Sequence, residues 1–486
     1  MKAKKQPCGS VLSLMGLLLG ASSEPALAQT NPVAAASAPP PSAGLLNDWL
    51  RRQQAGFEAW DLGGQFRARF EDKASFAVPN LHEADFQTTA NPANAYVLTR
   101  ERVHLGWMPC PWFKAYGEMQ DSTALNDERV PSPDNDHFTL RQAWASLGGT
   151  EDFPLLAKVG RQELVYGDQR LIGVADWLNF GRIYDAAKVR YETSNLWVDA
   201  FFSEPVLPAV TGFDTSDSHD KFSGVYASSR QLLPFQETQV YFLARNTDPH
   251  PAYEAGETPA QYPLASPRDI YTVGGRVQSL PGALKGWDYG AEGAYQFGRF
   301  EASTTSPSLS QDAYAFHLVG GHTWSETPSA PRLGAEFNYA SGGNTAGGKH
   351  GTFDDLFPSN HGLYGIMDFF SLQNMRDVRL GGSVTPWKQL TLRLDGHGFW
   401  LANTDDYFYL GNGAPRTTGG YGIHPGYSSF VGSELDMVAT YALTRFAWIE
   451  AGYGHFFVGD YVKQSLAGHG GAADGNYGYA QLYFNF

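Results

Sequence analysis

From Leu62 onward, apolar and polar residues alternate with a period of two, as they do along a strand with two different faces. In the first such segment Phe66, Ala68 and Phe70 share one face, while Gln65, Arg67, Arg69 and Glu71 share the other. The second sets Val103, Leu105 and Trp107 against Arg100, Arg102 and His104. The third sets Phe113, Ala115, Gly117 and Met119 against Lys114, Tyr116, Glu118 and Gln120. Later, Leu390, Leu392, Leu394 and Trp400 alternate with Thr391, Arg393, Asp395 and His397, and Leu435, Met437, Ala439 and Tyr441 alternate with Glu434, Asp436 and Thr440. One face is apolar and the other charged.

The segments between these strands sort by length. Short ones fall at 108–111, 150–154, 192–193, 231–234, 280–285, 325–330, 386–388 and 443–444. Long ones fall at 75–92, 122–136, 164–181, 203–220, 247–269, 298–310, 342–370, 403–429 and 458–475. Eight turns and nine loops predict about eighteen strands, an even number with tight turns at one end and long loops at the other. That is the plan of an all-β, antiparallel, up-and-down transmembrane barrel of the outer-membrane type, here over residues 61–486. A soluble β-sandwich has no reason to sort its connections this way. The last strand agrees: Ala480, Leu482, Phe484 and Phe486 alternate with more polar neighbours and end on an aromatic residue, which resembles the assembly signal of outer-membrane barrels.

The other end reads as export. Lys2, Lys4 and Lys5 precede the apolar run 11–21, and Ala26-Leu27-Ala28 follows it, the pattern of a cleaved signal peptide over 1–28. The apolar run is about half of the roughly 20 residues that a membrane helix needs. Residues 29–60 read as a periplasmic Ala/Pro-rich linker (Pro39-Pro40-Pro41) with a short amphipathic helix near 45–57, a tether in preference to a partner-binding helix. Cys8 precedes the apolar run and leaves with the signal, so Cys110 alone remains and an internal disulfide is excluded.

Composition changes the picture little. Mean hydropathy is −0.33, which does not conflict with a barrel, because alternating faces average out. The 54 glycines and 14% aromatic residues suit barrel strands with aromatic girdles but also a soluble lectin. The chain carries 35 basic and 50 acidic residues, a net charge of −15 that becomes −17 once three lysines and Glu24 leave with the signal. The acids concentrate in loops such as 121–136 and 214–220, where solvated charge is the simpler account and divalent cations shared with lipopolysaccharide the sharper one. No basic stripe suggests nucleic acid.

The charged faces supply the candidate chemistry. Arg67, Arg69, Arg100, Arg102, Arg190 and Arg393 fall on the polar side, where guanidinium groups can pass carboxylates along by paired hydrogen bonds. Glu71, Glu118, Asp395, Glu434 and Asp436 fall on the same side, so the alternative is internal ion pairs bracing the wall. The loop 342–370 is long enough to fold inward and constrict a pore.

Enzyme signals fail. The run Gly343 to His350 nearly spells a phosphate-binding loop, but His350 replaces the required Ser or Thr, and neither G-x-S-x-G nor H-E-x-x-H occurs. A barrel hydrolase would have to assemble Ser, His and Asn across strands, with His104, His317, His322, His397 and His455 as candidates. Lumenal or loop histidines are the plainer account. Ligand spacing for zinc is absent, and no metal or cofactor is expected.

Several segments resemble the alginate export family: Lys158-Val159-Gly160-Arg161-Gln162-Glu163-Leu164-Val165-Tyr166-Gly167-Asp168-Gln169-Arg170-Leu171, then Gly181 to Asp185, Gly351 to Pro358 with His361 and Tyr364-Gly365, Gly432 to Asp436, and Gly452 to Phe457. The similarity runs from about Leu62 to Phe486. It implies an eighteen-stranded outer-membrane barrel passing an anionic polysaccharide or oligosaccharide through a basic constriction. Outer-membrane lipid, lipopolysaccharide and periplasmic export proteins are the implied partners. By strand position Arg67, Arg100, Arg141 and Arg161 match basic places of the exporters. Glu163, a further lumenal acid, stands where those tend to carry arginine, and 342–370 is poor in arginine, so the resemblance is closer to uncharacterised members of the family. A general or small-solute porin for uptake is the alternative.

Overall fold

A computed structural model describes residues 44–486 apart from 54, 77–84, 90–92, 130–131, 210–211, 249–266, 303–305 and 344–347. The expected signal segment, most of the linker and the core of the phosphate-loop-like run lie outside the described residues.

Among the described residues the chain forms twenty strands, of which two, Thr215–Ser216 and Lys349–His350, are two-residue pieces set off the wall. The other eighteen pair antiparallel with their neighbours in sequence, from Trp60–Ala74 round to Gly475–Asn485. The first and last then pair with each other, Gln65 opposite Asn485 and Ala74 opposite Asn476, which closes the barrel. Closure removes the two open edges that a sheet would otherwise present. At the seam Gly64 N–H donates to Phe486 O at 3.0 Å and Phe486 N–H returns the bond to Gly64 O at 2.9 Å. Gly64 is required there, since a Cβ would stand 2.1 Å from Arg102 O and 2.6 Å from the Phe486 ring.

The eight predicted turns and nine predicted loops all fall between wall strands, alternating from one rim to the other. Outward positions carry Val103, Leu105, Val159, Val189, Val240, Leu318, Leu380, Leu394 and Ile449, all exposed, as a lipid-facing band requires. Trp60, Trp107, Trp112, Phe153, Trp287 and Trp387 add an exposed aromatic girdle near the turn rim. No helix among the described residues is long and apolar enough to cross a membrane; the strands do the crossing.

The helix predicted near 45–57 is shorter, Leu45–Gln53, followed by a 3-10 turn at Ala55–Ala59. Gly56 within that stretch disfavours helix continuation. The helix rests on the turn rim beside the closing seam: Asn47 Oδ1 accepts from Leu62 N–H at 2.7 Å, and Arg445 reaches Asp48 at 2.5 Å.

A closed barrel has its core inside. Here the loops build it, folding inward to pack Phe76, Phe86, Phe353, Leu363, Tyr364, Ile366, Phe369 and Phe370 against wall residues Phe399 and Phe456. Phe370 stacks on Phe399 with ring centroids 4.0 Å apart. The inward position expected for 342–370 is observed for its described part, 351–370.

Candidate functional site: the lumen

Alternation places Arg67, Arg69, Glu71, Arg100, Arg102, Glu118, Arg190, Arg393, Asp395, Glu434 and Asp436 on the inner face, in continuous cross-strand register. Arg141 joins them through a bulge, because it stands as the one extra residue of its strand between the Gln142 and Leu140 pairings. Arg161 does not. It shares the outward parity of Val159 and lies near the loop rim, paired with Asp185 through Nε and Nη2, both at 2.9 Å, and donating through Nη1 to Asp214 O at 3.1 Å. Expecting it in the pore is corrected on that ground: its neighbours Gly160 and Gln162 take the inner side.

The inner arginines are gathered by a loop that was not singled out as a constriction. Residues 163–183 enter the lumen and run parallel to 357–359 of the other inward loop. Phe357 N–H bonds Leu171 O at 3.0 Å, Gly173 N–H bonds Phe357 O at 2.9 Å and Ser359 N–H bonds Gln169 O at 2.9 Å. The two loops thus brace each other as a single plug.

Asp176, on that loop, sits among three guanidinium groups. Arg100 donates to both its oxygens at 3.1 Å, Arg102 Nη2 stands 2.9 Å from Oδ1, and Arg67 donates to its backbone carbonyl at 2.8 Å. Burial works against the charge on Asp176. Arg100, Arg102 and Arg67 outweigh it and hold the carboxyl far below the usual carboxylate range. Next along, the Arg69 guanidinium lies 3.7 Å over the Trp177 ring, whose other face stacks on His361 at 3.6 Å with planes 3° apart. Arg69 also pairs with Glu71 at 2.7 Å.

The remaining charges are engaged. Arg141 bridges Glu118, at 2.7 Å, and Glu163. Arg190 grips Asp199 through Nε and Nη2 at 2.5 and 2.8 Å, and Arg393 pairs with Asp395 at 2.8 Å. Glu434 and Asp436 accept the backbone N–H groups of Met367 and Ile366 at 2.9 and 3.2 Å, so these two acids anchor the long loop. A second anchor is Arg170, between Asp168 at 2.8 Å and Glu336 at 2.5 Å. On the loop side a cavity of about 360 Å³ remains, bordered by Arg69, Trp177, His361, Lys73, Arg182 and Asp355. Burial and the neighbouring Asp354 push the Asp355 carboxyl up to about 6.

Sequence reasoning missed Asp176, Trp177 and Arg170 as lumenal groups. They stand in or just beyond the densest family-like segment, 158–171, which was the one available signal. Among the described residues no three His, Cys, Asp or Glu side chains converge as a metal would need.

A closed eighteen-stranded wall with a lipid-facing band outside and charged, loop-narrowed passage inside defines an outer-membrane channel. The alginate export family profile matches residues 59–471, and the chain belongs to that family. No curated protein matches it. Among solved structures it resembles Pseudomonas aeruginosa OccD3 (OpdP) at 12% identity and a TM-score of 0.53, over 88% of this chain and 92% of that one. It resembles P. aeruginosa OccK2 (OpdF) in complex with glucuronate at 11% identity and a TM-score of 0.53, over 88% and 98%. For Acinetobacter baumannii OccAB4 the values are 11%, 0.51, 87% and 98%. At these identities the likeness is one of fold.

Proposed function

We propose that this channel passes an anionic polysaccharide or oligosaccharide of the uronate type, with Arg67, Arg69, Arg100 and Arg102 meeting its carboxylates at the constriction. The observation that carries this is the setting of Asp176: one loop-borne carboxylate shared by Arg67, Arg100 and Arg102, held as a substrate carboxylate would be. Guanidinium suits the task because it stays charged at any relevant pH and binds carboxylate through two parallel bonds. Conduction further requires each stop to be weak enough to leave, which loop-mounted contacts permit. Family membership and the glucuronate bound to a structural neighbour support the substrate class.

A small-solute channel for uptake is favoured by a different observation, the pairing of Arg141, Arg190 and Arg393 with acids along the wall. Planar-bilayer recordings separate the two. The polyanion channel is anion-selective, is partly blocked by trigalacturonate, and loses both on Arg67→Glu with Arg100→Glu in a barrel that still migrates as folded on gels. A cation-selective pore indifferent to trigalacturonate sinks it.

A further inference from the structure

Below the plug, toward the turn rim, lies a group of charges that the constriction does not use. Lys158 and Lys188 are direct cross-strand partners, and Lys114 and Lys158 both face Ser146 on the strand between them, so the three amines form a row on the inner wall. Lys114 is six residues turnward of Gln120, which already touches the plug through Phe180 O. At about 3.3 Å per residue Lys114 stands roughly 20 Å below it, while the other end of the row reaches the plug, the Lys188 ammonium lying 5.9 Å from the Tyr166 ring.

Like charges directly opposite on a sheet destabilise it. In this sector the compensation is thin. Among the described residues neither Lys114 nor Lys158 has a carboxylate within ion-pair distance, and Lys188 reaches only Asp199, at 3.5 Å. Asp199 is already taken by Arg190 and by the Tyr166 hydroxyl at 2.8 Å. Of the other acids in this sector, Glu118 and Glu163 are held by Arg141, and Asp61, which acts on Lys114 only beyond ion-pair distance, is engaged by His104 and Asn47. Lys158 is kept in place by the Trp144 ring, 3.9 Å beneath its ammonium, and Lys114 approaches the same ring at 5.6 Å. An aromatic face positions an ammonium without neutralising it. The result is an ordered, half-buried row of three amines facing the lumen, with Lys188 alone at ion-pair distance from a carboxylate and that carboxylate shared with Arg190.

We propose that Lys114, Lys158 and Lys188 form a carboxylate-binding station on the turn side of the plug, where an acidic saccharide is held before it meets the constriction. This rests on the anionic-saccharide function above and extends it to a second site, away from the Asp176 arginines and adjoining the plug at Tyr166. Turns of outer-membrane barrels face the periplasm, so the station takes chains arriving from the cell.

The test is bilayer block of the full-length channel by trigalacturonate, with inorganic phosphate and neutral maltotriose in parallel. Lys114, Lys158 and Lys188 are replaced together by Gln or by Arg, and folding is verified by heat-dependent gel mobility. The Gln variant is expected to be blocked about tenfold more weakly, the Arg variant to stay within about twofold of the parent, and maltotriose to be inert throughout. If the Gln triple does not fold, Lys158→Gln alone is read, with a smaller loss in the same direction. Equal block of parent and Gln variants overturns the station while leaving the channel function intact. A parent channel that is cation-selective and unblocked overturns both. Phosphate blocking as well as trigalacturonate, with the same dependence on the lysines, overturns the saccharide assignment.

Discussion

Arg100 and Asp176 form a side-on pair, Nη1 to Oδ1 and Nη2 to Oδ2 at 3.1 Å each, between a wholly buried strand arginine and a loop carboxylate 76 residues further along the chain. The wall and the plug meet at this contact, and the lumen's charge balance turns on it.

Asp176→Asn leaves Arg67, Arg100 and Arg102 facing an uncharged amide. Reversal potentials in a salt gradient are expected to shift toward greater anion selectivity. Removing one partner of a buried pair costs about 3–5 kcal/mol, so the midpoint of urea unfolding falls as well. Unchanged selectivity in a folded variant counts against the constriction described here.

Gly365 adopts φ +82°, and a Cβ there would stand 2.4 Å from Glu434 Oε1. Gly365→Ala therefore drives 366–367 off Glu434 and Asp436. Faster proteolysis within 341–374 and noisier single-channel current are expected, with the strands intact by circular dichroism.

Asp355 links the plug to pH. Its carboxyl is raised from 3.8 to about 6 in the folded chain, so the folded state binds more protons than the unfolded one between those values. Stability contributed by the buried neutral acid is present below 3.8 and is lost as pH rises through about 6. The full displacement corresponds to about 3 kcal/mol. Amide exchange in 353–359, corrected for intrinsic rates, is expected to be slower at pH 5 than at pH 7.5, and Asp355→Asn to flatten the difference.

At the seam, deletion of Phe486 removes both backbone bonds with Gly64, each worth about 1 kcal/mol, together with the ring packed beside it. Less heat-modifiable barrel and more protease-sensitive chain are expected in outer-membrane fractions. Phe486→Tyr, which keeps the backbone and the ring, separates closure from side-chain chemistry by retaining most of the folded band.

The strand positions and the two faces were legible because a barrel strand states its environment locally: Phe66 and Phe70 meet lipid while Arg67 and Arg69 meet the lumen, whatever the rest of the chain does. The eight turns were legible for the same reason. The pattern failed at Arg161, which follows Lys158-Val159-Gly160 and is charged, yet keeps the outward parity and finds Asp185 near the rim. Charge alone does not report parity near a strand end, where a loop can cover an outward polar pair.

What the sequence by itself determined was a wall: eighteen strands, their order, the sorted turns and loops, the aromatic terminus and the family. The wall follows from periodicity and spacing between near neighbours, and the family from the resemblance of segments such as 158–171 to its members. Which guanidinium groups are engaged, and by what, was decided by tertiary structure. Arg67 finds the Asp176 carbonyl 109 residues away, Arg170 finds Glu336 166 residues away, and Glu434 holds Met367 across 67. Loops closing over such distances set the lumen's free charge, and no local pattern records where a loop will lie.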